Sequence, residues 1–158
     1  MPRHNNLLLS HQLCFALYTA TNSVVRAYRR RLADVGLTYT QYLVLLALWE
    51  QDGIALKSLA ERLSLDSASL TPVIKRLEKM GLLRRDRSSA DERRISIVLT
   101  AQGQSLQDEV AAIQSAVECQ TGLSEDAFLE LRGALEQLTR TMGENDDEEA
   151  VPRAVGAS

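Results

Sequence analysis

Apolar residues recur at helical spacing along most of this chain. Leu13, Leu17, Ala20, Val24, Tyr28 and Leu32 fall three or four positions apart, which predicts a long first helix from Ser10 to Asp34, capped by Ser10 and stopped at Gly36. Thr38 with Gln41 three positions on is a capping-box pattern, and Leu37 and Tyr42 have the spacing of a hydrophobic staple. A second helix therefore starts at Tyr39 and ends before Gly53. Two shorter helices follow, about Lys57 to Ser64 and Ser67 to Met80, separated by the cap signal Asp66-Ser67. In the later one Leu70, Ile74 and Leu77 share a face, so Ala68, Thr71, Pro72, Lys75, Arg76 and Lys79 face outward. Pro72 has no N–H to give the helix, which predicts a local irregularity there.

Gly81 ends that helix, and Ile95, Ile97 and Leu99 alternate as the return strand of a hairpin whose tip is about Arg87 to Glu92. Two short helices followed by a hairpin with a basic polar tip form a winged helix-turn-helix, a DNA-reading device. An outward helix face of small, hydroxyl and cationic side chains suits a major groove. After a Thr100 cap, Leu106, Val110, Ile113 and Val117 form one stripe; after a Ser124 cap, Phe128, Leu131, Leu135, Leu138 and Met142 form another. The pattern thus predicts a mainly α fold with a small β-wing. Its reading head spans 37–99 and its dimerisation helices 1–36 and 100–142, because a compact winged motif cannot cover all of these stripes and a second copy can. The remainder, 143–158, is acidic and aperiodic and is expected to be disordered.

The net charge of -3 argues against nucleic acid until its distribution is read. Residues 54–99 carry ten Lys/Arg against six Asp/Glu, whereas residues 100–158 carry three against twelve. A basic module on an acidic remainder fits a protein that meets phosphates with one face. The longest apolar stretch, around Tyr42 to Trp49, is far short of the roughly 20 residues that span a bilayer, and no signal peptide opens the chain, so a cytoplasmic protein without membrane contact is expected. In that reducing compartment the two cysteines, Cys14 and Cys119, would pair only as a switch. No Ser-His-Asp set or phosphate loop is recognisable, and His4 and His11 lie far from a zinc-type cysteine spacing, so neither an enzyme nor a cofactor or metal is expected.

The run SLTPVIKRLEKMGLLRRDRSSADERRISIVLTAQG resembles the MarR family of dimeric winged-helix repressors, above all in Asp91-x-Arg93 of the wing and Leu99-Thr100-x-x-Gly103 after it. QLCFALY from Gln12 to Tyr18, Tyr28, and GLTYTQYLVLLALWE from Gly36 to Glu50 are similar to the organic hydroperoxide-sensing (OhrR) branch. The resemblance covers about Leu8 to Gly143. It departs at Ser10-His11, where an acidic or amide pair is common, and at Thr40, where proline is frequent. It implies that Cys14 is the peroxide sensor, that Tyr28 and Tyr39 hold it, and that Cys119 resolves the oxidised sensor across the dimer.

Peroxide attack requires a thiolate, which the apolar neighbours Leu13, Phe15 and Leu17 disfavour and phenolic donors favour. Tyr28 is fourteen positions beyond Cys14 on one helix, about 21 Å along its axis, so it cannot reach its own cysteine. Antiparallel crossing of two first helices would build the sensor from both subunits. A disulfide between Cys14 and Cys119 needs α-carbons within about 7 Å, and a longer starting separation would force the helices to move and spread the recognition helices off half-sites roughly 34 Å apart. On the DNA side Ser67, Ser69 and Thr71 can donate to phosphates or bases, Lys75, Arg76, Lys79 and the wing's Arg87 supply charge, Arg93 can enter a minor groove, and Asp91 orients Arg93. The expected partners are double-stranded operator DNA, a second copy of the chain, and an organic hydroperoxide as oxidant. Two other readings stand beside this one: a repressor released by a small aromatic ligand with passive cysteines, and a thiol peroxidase, which lacks here a C-x-x-C motif and a thioredoxin-like alternation of strands and helices.

Overall fold

The computed structural model describes residues 3–87 and 95–149. Helix α1 (Leu13–Leu32) and helix α2 (Tyr39–Glu50) lead into strand β1 (Ile54–Ala55), helix α3 (Leu56–Arg62) and helix α4 (Ser67–Lys79). Strands β2 (Leu83–Arg87) and β3 (Ile95–Leu99) form the wing, and helices α5 (Ala101–Ser105), α6 (Gln107–Gln120) and α7 (Glu125–Glu149) complete the order. The winged helix-turn-helix expected from the sequence is therefore present. The chain divides into two units, Met1–Val117 and Glu118–Ser158.

Helix α1 starts three residues later than its periodicity predicts. Two 3-10 turns, Asn5–Leu7 and Leu9–His11, precede it, so Ser10 lies inside a turn and Gln12 takes the N-cap position without a side-chain cap bond. The Gln12 amide donates backwards instead, to the carbonyls of Asn6 and Leu8. At the other end Gly36 adopts φ +73, and the Leu37 N–H returns to the Leu32 carbonyl at 3.0 Å, which stops the helix where the glycine predicts.

The start of α2 is the predicted capping box. The Gln41 N–H donates to Thr38 Oγ1 at 3.3 Å and the Thr38 N–H donates to Gln41 Oε1 at 2.8 Å, while Leu37 and Tyr42 are both buried as a staple requires. Helix α2 then runs through the centre of the core. Leu32, Val44, Leu45, Leu48, Leu59, Leu70, Leu77 and Ile97 are fully enclosed in a cluster drawn from α1, α2, α3, α4 and the sheet.

Three further differences from the sequence reading concern the later elements. The wing has a third strand: β1, two residues long and too short to show alternation, pairs antiparallel with β3 through Ile54 and Ile97, giving the order β1-β3-β2. The stripe from Leu106 to Val117 is divided, because α5 is fastened to the wing and the chain turns at Leu106 before α6 begins. Helix α7 continues through Glu149, past the position 143 at which the sequence reading began its aperiodic tail. Residues 150–158 lie outside the described residues. Among those described, no single helix is long and apolar enough to cross a membrane.

Candidate nucleic-acid interface and thiol site

The turn between α3 and α4 is short and tightly bonded. Leu65 N–H returns to the Ala60 carbonyl at 2.9 Å, with Ser64 at φ +52, a left-handed conformation that ends α3 and swings the chain towards α4. Asp66 then caps α4: its Oδ1 accepts from the Ser69 N–H and its Oδ2 from the Ser69 hydroxyl, each at 2.7 Å. These bonds hold the Asp66 carboxyl below its ordinary value, the Ser69 hydroxyl contributing most.

The two faces of α4 divide as the sequence predicts. Leu70, Ile74 and Leu77 are buried, and Ser67, Ala68, Ser69, Pro72, Lys75, Arg76 and Lys79 are exposed, with Thr71 half-buried. The helix runs through Pro72 without interruption, contrary to the expected irregularity. Thr71 Oγ1 donates to the Ser67 carbonyl at 2.8 Å, one turn back. Two of the three hydroxyl donors expected to serve DNA, those on Ser69 and Thr71, are thus engaged within the chain.

Charge on this surface is sorted by pairing. Arg84 is within 3.2 Å of Asp86, Lys57 within 3.9 Å of Glu61, and Arg62 is paired with Glu50. Among the described residues Lys75, Arg76 and Lys79 make no ion pair, so the uncommitted cations project from α4. Arg87 is the last residue of β2, its backbone registered with Ile95 of β3. Asp91 and Arg93, expected at the wing tip, lie outside the described residues.

A pair that sequence reasoning missed joins α4 to the wing. Glu78 Oε2 accepts from Arg85 Nε at 2.9 Å and Nη2 at 2.6 Å, and Glu78 Oε1 accepts from the Arg85 backbone N–H at 3.2 Å. The Arg85 side-chain hydrogen bonds hold the Glu78 carboxyl below its ordinary value of 4.5. Because the folded value is depressed, this contribution is fully present above about pH 4.5 and is lost as pH falls through the folded value. Urea midpoints measured from pH 7 down to pH 3 should therefore fall further in the wild type than in Glu78→Gln. Parallel curves for the two proteins would show the pair to be inert.

At the other end of the unit, Tyr28 of α1 meets Tyr39 and Tyr42 of α2. Ring centroids are 5.6 Å apart for Tyr28 and Tyr39, 5.0 Å for Tyr28 and Tyr42, and 5.9 Å for Tyr39 and Tyr42. Burial raises the Tyr39 phenol above its ordinary value of 10.0, and neighbouring Tyr28 adds to the shift, so Tyr39 keeps its proton and remains a donor near neutral pH. The sequence reading placed Tyr42 only in the staple. Its spacing of three from Tyr39 on one helix face was the available sign of a third ring.

Cys14 and Cys119 are both free and both exposed. Cys14 occupies the first turn of α1, where backbone N–H groups have no helical acceptor, and it stands among the exposed Leu13, Phe15 and Tyr18. Cys119 lies at the penultimate position of α6, its carbonyl accepting from the Gly122 N–H at 3.2 Å.

A capped recognition helix with uncommitted cations, fastened to a three-stranded wing, defines a winged-helix DNA-binding protein. Comparison with known proteins narrows the class. Residues 26–110 match the family described as transcriptional regulator SarA/Rot. The chain is 36% identical over 140 residues to the organic hydroperoxide resistance transcriptional regulator of Bacillus subtilis, covering 89% of this chain and 95% of that one. It is 47% identical over 130 residues to the HTH-type transcriptional regulator TtmR of Methylorubrum extorquens, covering 82% of this chain but spanning only 65% of that relative's length. Among solved structures, reduced AbfR bound to DNA superposes with a TM-score of 0.75 at 34% identity, covering 90% of this chain and 98% of that one. AbfR, which comes from Staphylococcus epidermidis, also has a disulfide-formed structure, with a TM-score of 0.61 at 36% identity, covering 88% of this chain and 92% of that one. The chain belongs to the MarR/SarA family of winged-helix transcriptional regulators, and is a DNA-binding regulator rather than an enzyme.

Proposed function

We propose that this protein is a homodimeric repressor that leaves its operator when an organic hydroperoxide oxidises Cys14. One observation carries the reading. Cys14 is exposed at the start of α1, while Tyr28 lies about 21 Å further along that helix with Tyr39 of α2 beside it, an arrangement that supports the two phenols serving a second chain. Exposed apolar residues on the same segment, Leu7, Leu9, Leu13 and Phe15, supply a surface for that chain, and Leu129, Leu131, Leu135 and Met142 of α7 supply another. The Bacillus relative's name and the reduced and disulfide states of AbfR support a redox trigger.

The chemistry balances without a cofactor. The Cys14 thiolate attacks a peroxide oxygen; an S–O bond forms, the O–O bond breaks, the alcohol departs and the sulfur is left as a sulfenic acid. The partner subunit's Cys119 then displaces that oxygen as water, and the S–S bond closes. Reduction by a dithiol returns both thiols.

The decisive experiment uses duplexes selected from a random pool by the reduced protein. One equivalent of organic hydroperoxide should release the wild type and leave Cys14→Ser bound; release of both would overturn the reading. Tyr28→Phe and Tyr39→Phe should each keep reduced-state DNA binding and slow Cys14 oxidation, because each removes a donor while keeping a ring. Unchanged stopped-flow rates in both would remove the two phenols from the mechanism.

A second reading has one observation in its favour. A cavity of about 350 Å³ between α2 and α6 is lined by Leu46, Trp49, Val110 and Ala111 with Gln107, Asp108 and Gln114 at its polar side, a size and lining that suit a small aromatic effector. Ligand-driven release that survives Cys14→Ser would favour it.

A further inference from the structure

Tyr42 differs from the other two tyrosines in how it is held. It is 3% exposed, whereas Tyr28 and Tyr39 are half-buried. It stands at the fourth position of α2, behind the closed capping box and in one buried cluster with Leu37 of the staple, so the helix start that carries it is fastened. Its ring lies against Tyr28 at 5.0 Å and 27°, the most nearly parallel of the three contacts, and it also touches Tyr39 at 5.9 Å and 41°. Tyr28 is on α1 and depends on α2 for the wall behind its ring.

We propose that Tyr42 is the positioning residue of the thiol site, a buried flat wall that sets the ring of Tyr28 so that its hydroxyl meets the partner's thiolate. The inference rests on the sensor reading above. A phenol donor acts only within about 0.5 Å of its productive place, and a misplacement of about 1 Å can cost a hundredfold in rate. Tyr28 approaches a sulfur on another chain, so its own helix cannot supply that precision. A ring stacked behind it from a rigid helix start can, by removing the alternative rotamers that an open side would permit. The role proposed belongs to the ring face that meets Tyr28, so the two obvious substitutions should behave differently.

Tyr42→Phe preserves the wall and should oxidise at Cys14 within about twofold of the wild type. Tyr42→Leu removes it and should slow oxidation by about tenfold to a hundredfold while reduced-state operator binding and the dimer are retained. The double variant Tyr28→Phe with Tyr42→Leu should be no slower than Tyr28→Phe alone, because a wall has nothing to place once the hydroxyl is gone. Additive losses would overturn the proposal, as would a Tyr42→Leu rate equal to wild type, or a Tyr42→Phe rate as slow as Tyr42→Leu. Should the leucine variant not fold, Tyr42→Met carries the same test, since it fills the space without a flat face; failure of both to fold would assign Tyr42 to the core alone and overturn the proposal. Tyr28→Phe measured in parallel separates the two levels. If it leaves the rate unchanged, the sensor reading fails; if it slows the reaction and Tyr42→Leu does not, only the role of Tyr42 fails.

Discussion

One equivalent of organic hydroperoxide should convert the wild type into a covalent dimer on a non-reducing denaturing gel, and a dithiol should return it to monomeric chains. The argument joins access and chemistry. Both thiols are exposed in the single chain, one in the first turn of α1 and one near the end of α6, and a sulfenic acid beside a second thiol condenses before it is oxidised further. In the proposed dimer the resolving thiol belongs to the other chain. Cys119→Ser should still react at Cys14 but form no covalent dimer, and excess oxidant should drive it to sulfinic and sulfonic acids. Mass spectrometry of digests decides the wiring: a Cys14–Cys14 link, or an intrachain Cys14–Cys119 link, contradicts it.

Gly103→Ala should destabilise the protein by about 3 kcal/mol or more, the upper range for forcing atoms into a packed site. A β-carbon at Gly103 would stand 2.0 Å from the Leu82 carbonyl oxygen and 3.1 Å from a Leu99 methyl, and the first of these is backbone that cannot rotate away. That backbone is itself committed. The Leu82 carbonyl accepts from the Thr100 N–H at 3.1 Å, the Thr100 hydroxyl donates to the Gly81 carbonyl at 2.5 Å, and the Gly103 carbonyl accepts from Trp49 Nε1 at 3.1 Å. Alanine would therefore pry apart the junction of α2, the end of α4, the wing and α5, and operator affinity should fall with stability. Gly133→Ala is the control. Its β-carbon would meet nothing within 4 Å and the site is mid-helix, so it should be neutral or stabilising by up to about 1 kcal/mol. Equal urea midpoints for the two variants would refute the junction.

What the sequence made legible were features written in local chemistry. Thr38 with Gln41, Asp66 before Ser67, Thr100 before Gly103 and Gly36 all mark element ends through bonds to backbone within a few residues, and each does so in the structure. The buried face of α4 was legible for the same reason, since Leu70, Ile74 and Leu77 repeat at the helical period. Ser10 misled because a cap residue is only a cap where a helix starts, and 3-10 turns already occupied that stretch. Strand β1 was invisible because its pairing to Ile97 and Ser96 is made across more than forty residues. Glu78 with Arg85, and Tyr42 with Tyr28, were missed on the same ground: each pair joins different elements, and helical or strand periodicity carries no record of them.

The split between closed and open apolar surface has a genetic consequence. The core around Leu45, Leu59, Leu70 and Ile97 is completed inside one chain, whereas Leu7, Leu9 and Leu13 near the N-terminus and Leu131 and Met142 on α7 await cover. In the proposed dimer, recognition and pairing would reside in separable parts of the polypeptide. A copy crippled only on the outward face of α4 would still pair normally, and in the proposed dimer each such copy would draw a healthy chain into an assembly with one competent half. If random exchange makes only a quarter of dimers fully competent when the two copies are equally abundant, such alleles would be dominant, whereas alleles that destroy the pairing surfaces would be silent beside a healthy copy.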